Sequence, residues 1–173
     1  MDSFNKVFGA LLALSIGLAG QACFAQAMPA TAGETLSGKH IVLADVVHGH
    51  EAILVAGFSH EGGMKAGEWI KRIHADPALA GVTVYEVAML EAAPSFVRGM
   101  IKSGMRKGMS PEQQDDFVVL TQDEKAWETC FGVGDDKEPY VMLIDAGGKV
   151  IWRGHGGASD LEPRLRAAAH QES

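Results

Sequence analysis

The chain has 173 residues, enough for one domain with a sizeable core, and a formal net charge of −7 with a pI of about 5.4. That acidity argues against a general nucleic-acid binder, which needs a cationic face for phosphates. Beyond the first residues no run approaches the roughly 20 apolar positions of a membrane helix, so the mature chain is not expected to span a bilayer.

Residues 1–27 read as a signal peptide, with Lys6 as the positive start, Val7 to Gly20 as the apolar stretch and Ala25-Gln26-Ala27 as a small-x-small cleavage site. The protein is therefore expected to be exported, periplasmic or secreted. Cleavage removes Cys23 and leaves Cys130 as the lone thiol. One cysteine cannot run an intramolecular dithiol–disulfide cycle. Residues 28–38, rich in alanine and polar side chains, read as a flexible leader, and the folded domain is expected over 39–170.

Ile41 to Ala44 is a short strand candidate, His48-Gly49-His50 a turn, and Ile53 to Phe58 a continuous apolar run suited to a central buried strand. Ser59-His60-Glu61-Gly62-Gly63 leads into a helix whose apolar positions Ala66, Trp69, Ile70 and Ile73 recur at helical spacing; Asp76-Pro77 stops it. Val82 to Met89 is the next strand. A helix over about Ala92 to Lys107 is expected to bury Phe96, Val97, Met100, Ile101 and Met105, with Met100 and Met105 filling gaps in the core. Arg98, Lys102 and Arg106 recur every fourth residue on the other side and read as a solvated face. Ser110 to Gln113 is a capping-box start, Phe117 to Leu120 a strand, and Thr121 to Glu124 the cap of a helix carrying Trp127, Cys130 and Phe131 to Gly132.

The chain closes on Pro139, a buried strand from Tyr140, the turn Ala146-Gly147-Gly148, a return strand from Lys149 to Trp152, a glycine-rich exit and a last helix from Ser159. Alternating strands and helices predict an α/β fold, a sheet covered by helices on both faces. Glu86 stands out within its apolar strand, because a lone buried carboxylate is costly. Arg153 and Lys149 are its candidate partners.

This order of elements resembles the thioredoxin-like fold, with a central mixed sheet. Pro139 sits where that fold carries a cis-proline facing the active-site loop, and X-Pro bonds are the ones for which cis is cheap. The run Phe117–Ile144 is similar to thioredoxin-like proteins of the peroxiredoxin and cytochrome-maturation type. More particularly, Tyr140, Leu143, Asp145, Lys149, Trp152, Gly154, Gly156, Ala158 and Glu162 resemble the C-terminal pattern of the mitochondrial ATP-synthase assembly-factor family of the "ATP ten" type. That resemblance implies a thioredoxin-like fold without a working redox pair, and a chaperone role toward a membrane protein.

The loop Ser59–Gly63 holds no cysteine where a redox-active relative carries Cys-x-x-Cys. Its side chains, with Pro139, Tyr140 and His155, form the candidate binding surface for a protein or peptide client, of the envelope or membrane, and no cofactor is expected. No nucleophile-elbow motif surrounds Ser59, so no catalytic residue is assigned and an enzyme is not favoured. Two alternatives stay open. Cys130 is the one candidate for a single-cysteine thiol oxidoreductase or peroxidase, although its place on an apolar stripe suits burial. His48, His50 and His60, with His155, are the candidate ligands of a metal (copper) carrier, should they converge.

Overall fold

A computed structural model describes residues 28–169, so the expected signal peptide and Cys23 lie outside the described residues. Among the described residues seven strands, in chain order β1 (Ala32–Thr35), β2 (His40–Val42), β3 (Ala52–Gly57), β4 (Thr83–Met89), β5 (Phe117–Leu120), β6 (Tyr140–Ile144) and β7 (Val150–His155), form one sheet in the order β2-β1-β5-β4-β3-β6-β7. β3 (Ala52–Gly57) lies inside it, parallel to β4 (Thr83–Met89) and antiparallel to β6 (Tyr140–Ile144). β4 runs parallel to β5 (Phe117–Leu120), and β6 turns back into β7 (Val150–His155). Every residue of β3, β5 and β6 is buried, which is why these segments read as unbroken apolar runs rather than alternating ones.

Alternate side chains of β3 serve two cores. Ile53 and Val55 meet Ala66, Trp69 and Ile73 of α2 (His60–Ala75) and Leu165 of α6 (Ala158–Ala169). Leu54 and Ala56 meet Trp127, Cys130 and Phe131 of α5 (Glu124–Phe131) and Leu43 of α1 (Leu43–Val46) on the other face. A third, smaller cluster joins Leu36, Ala88, Phe117 and Val119 to Met105 of α3 (Ser95–Arg106). α4 (Pro111–Asp115) then leads into β5, opened by the expected capping box of Ser110 and Gln113.

Several expectations need correction. The segment expected as a flexible leader contributes β1 (Ala32–Thr35), paired with β5 on one side and β2 (His40–Val42) on the other. Its order comes from backbone pairing, which its alanine-rich composition does not advertise, and from Thr31 donating to Asp123 at 2.8 Å. Asp123 therefore does not cap α5 with its side chain. The Glu91 carboxylate takes that place, accepting from the Glu124 N–H at 2.6 Å.

The largest departure is α3, none of whose residues is buried. Phe96 is 86% and Met100 71% exposed, so Met100 fills no gap in the core. The cations, expected to be solvated, turn inward instead. Arg98 donates to the carbonyls of Ala93 and Glu91, Lys102 pairs with Glu34 of β1 at 2.8 Å, and Arg106 donates to the Leu36 carbonyl. Periodicity identifies an amphipathic helix; here the bonds of Lys102 and Arg106 to β1 and Leu36, with the half-buried Val97, Ile101 and Met105, set which side faces the sheet.

Candidate functional site

α2 begins directly beyond the end of β3, and two glycines, Gly57 and Gly62, allow the approach. A Cβ on Gly57 would lie 2.5 Å from the Gly63 Cα and N, and one on Gly62 would lie 2.6 Å from the Asp136 carbonyl. Ser59 is the N-cap: its Oγ accepts from the Gly62 N–H at 3.1 Å and donates to the Asp136 carbonyl at 2.8 Å. Its hydroxyl is therefore committed to structure. His60 and Glu61, the first two helical residues, are exposed.

The segment before Pro139 lies against this helix start. Lys65 reaches Glu138 and Glu61, each at 3.2 Å, and those carboxylates, Glu138 first, hold its ammonium above its ordinary range. Pro139 is buried, and its carbonyl accepts from the Gly156 N–H at 3.1 Å. The Gly156 carbonyl in turn accepts from the Trp69 indole at 2.8 Å. Tyr140 is buried too; its hydroxyl accepts from the N–H groups of Gly134 and Asp135 and donates to the Asp135 carbonyl. His155 stays exposed, with its ring 5.5 Å from that of Tyr140.

Ser59, His60, Glu61, Gly62, Gly63, Pro139, Tyr140 and His155 thus gather at one end of the sheet, where Ala56, Tyr140 and His155 are in register across β3, β6 and β7. Within the group His60, Glu61 and His155 are open to solvent, whereas Tyr140 and Pro139 act from within.

The proposed metal ligands do not converge. His48 and His50 precede β3 while His60 follows it, roughly 20 Å away along a six-residue strand. His48 instead packs over the hairpin turn, where a Cβ on Gly148 would meet its imidazole at 2.9 Å. Among the described residues no group of three or more His, Cys, Asp or Glu side chains is placed to hold a metal.

Cys130 is fully buried on the α5 face of the sheet. Burial raises its thiol pKa, against a smaller downward pull from Arg153, the opposite of what a nucleophilic thiolate needs. With Cys23→Ser leaving a single thiol, a thiol reagent is expected to modify the native protein only as fast as it opens. Complete labelling within mixing time, without denaturant, would contradict this burial.

The sequence did not disclose the cavity of about 490 Å³ beside this site, between the start of α2, β4 and α3. Glu86 lines it, and neither expected partner is near, because β3 and β6 stand between β4 and β7. Burial pushes the Glu86 carboxyl up to about 7. The one sequence signal of this cavity was a lone carboxylate in an apolar strand.

Solved structures share this architecture. The chain matches the thioredoxin domain of a thiol-disulfide oxidoreductase from Bacteroides vulgatus with a TM-score of 0.56 at 18% identity, over 83% of this chain and 96% of that one. The fold is thioredoxin-like. A putative thiol:disulfide interchange protein DsbE from Chlorobium tepidum (TM-score 0.56, 21% identity, 84% and 96% covered) shares this thioredoxin-like fold. So does Arabidopsis thaliana ScoI, solved with copper bound (0.54, 13%, 84% and 99%). At these identities the likeness establishes the fold alone. No protein-family model matches the sequence, and no curated protein does.

Proposed function

We propose that this is an exported, redox-inactive thioredoxin-like protein that holds a segment of a protein client, as a binding or assembly factor. One observation carries the reading: the helix start that could present a reactive thiol is a closed serine cap, while Cys130 is buried on the opposite face of β3. What remains open at that end is recognition surface, formed by His60, Glu61 and His155 around Pro139. The resemblance of the Tyr140–Glu162 run to the ATP-synthase assembly factors supports the same role, with an envelope or membrane protein as the client. Export is supported by the signal-peptide-like sequence of residues 1–27.

The test places a photoreactive side chain at His155, with exposed Ala80 as the control, in the chain as expressed in its own cells. A discrete protein adduct from the first position and none from the second is expected in the envelope or secreted fraction. Reduction of insulin disulfides, abolished by Cys130→Ser, would overturn the reading in favour of a thiol oxidoreductase.

A further inference from the structure

The cavity between α2 and α3 is lined mostly by apolar side chains, with Ser59, His60 and Glu86 as the polar exceptions. Its volume, about 490 Å³, falls in the range of sites that enclose a ligand or several side chains. Met64, Met89, Met105 and Met109 line it, and thioethers on unbranched chains adapt to differing apolar shapes. Met64 is 67% exposed, and α3 turns Phe96 and Met100 outward, one residue before the half-buried Val97 and Ile101. These three exposed apolar side chains are unlike the rest of the described surface, where no other large hydrophobic residue is exposed.

Glu86 supplies the charge. Among the described residues no hydrogen bond or ion pair reaches its carboxylate, and burial is the sole influence on its titration, so no charged group faces it closely from β3, β5, α2 or α3. His60, at the start of α2, is the other ionisable side chain in the lining. A carboxylate held this way in an apolar recess is complementary to an apolar group ending in a cation. An anionic lipid surface is disfavoured, because Arg98, Lys102 and Arg106 are committed to internal partners and the chain's net charge is −7.

We infer that this cavity seats an apolar stretch of the protein client that carries a lysine or arginine, with the cation meeting Glu86 and the flanking apolar side chains resting on Met64, Phe96 and Met100. The inference rests on the client-binding reading and gives that client its chemistry.

Selection of short random peptides on the intact protein at a pH of about 8 tests it. Selected peptides are expected to join leucine, methionine or phenylalanine to a nearby lysine or arginine. Glu86→Gln should weaken a selected peptide roughly tenfold or more, while its lysine-to-glutamine version binds both proteins alike. Phe96→Ser with Met100→Ser, two exposed positions that leave the core intact, should weaken every selected peptide. Peptides without a basic preference, or with affinity indifferent to Glu86→Gln, would overturn the inference. So would self-association, or binding to phosphatidylglycerol vesicles, that depends on Phe96 and Met100 in place of peptide binding. A client adduct at His155 that persists in these variants, with no cavity-dependent peptide, removes this inference and leaves the client-binding reading intact; no adduct in the unaltered cavity background and no such peptide removes both.

Discussion

Gly57→Ala is expected to lower the urea midpoint sharply, by about 3 kcal/mol or more of stability, whereas Gly63→Ala, six residues on, should raise it. The added Gly57 methyl would sit 2.5 Å from the Gly63 Cα and N and 2.9 Å from the Gly62 carbonyl carbon. All of these are backbone atoms, so no rotamer change can relieve the overlap. The start of α2 would have to lift from β3. That movement strains the Ser59–Asp136 hydrogen bond and the seat of Gly62 against the Asp136 and Glu138 carbonyls. Overpacking against movable side chains costs roughly 1–3 kcal/mol, and a backbone obstacle belongs at or above the top of that range. Out of a total stability of about 5–15 kcal/mol the loss is large. A methyl on Gly63 meets nothing within 4 Å, and alanine in a helix gains roughly 0.5–1 kcal/mol over glycine. Equal midpoints for the two variants would mean that the helix start is not held against the strand in this way.

These two glycines also mark the limit of what the sequence discloses. The apolar runs Ile53 to Phe58, Phe117 to Leu120 and Tyr140 to Ile144 are legible because strands buried on both faces must be continuously apolar. The hairpin turn is legible too, since Gly148 takes a positive φ of 79°. The site residues around Ser59 and Pro139 come together as the order of elements implies, through the shared register of β3, β6 and β7. Which glycine bears the close approach is invisible in Gly57, Gly62 and Gly63 alone, because it depends on the distance between two backbones. β1 is hidden for a related reason: its pairing with β5 uses main-chain groups that every residue carries. The orientation of α3 depends in part on a carbonyl and a carboxylate far away in sequence, at Leu36 and Glu34. Charge spacing along the helix cannot reveal those partners.

Glu86→Gln is expected to stabilise the protein by about 3 kcal/mol at a pH near 8 and to change little below pH 4.5. The sign follows from the direction of the shift. Burial raises the folded-state carboxyl from its ordinary 4.5 to about 7, so the unfolded chain ionises first. Below 4.5 both states are protonated and the carboxyl adds no penalty. Between 4.5 and 7 the unfolded state sheds a proton that the folded state keeps, and stability falls by roughly 1.4 kcal/mol per pH unit. Above 7 the folded state ionises as well and the loss levels off. Asp116, whose carboxyl burial also raises, contributes to the same slope in both proteins and cancels in their difference. Urea denaturation of the two proteins across this range measures that difference directly. A difference that stays constant with pH would show that Glu86 titrates alike in the folded and unfolded chains, so that burial leaves no uncompensated charge for a client's cation to offset. A difference that opens above 4.5 and closes again when a selected basic peptide is added would tie the stability cost to recognition, because the client's cation would offset the charge that burial leaves uncompensated.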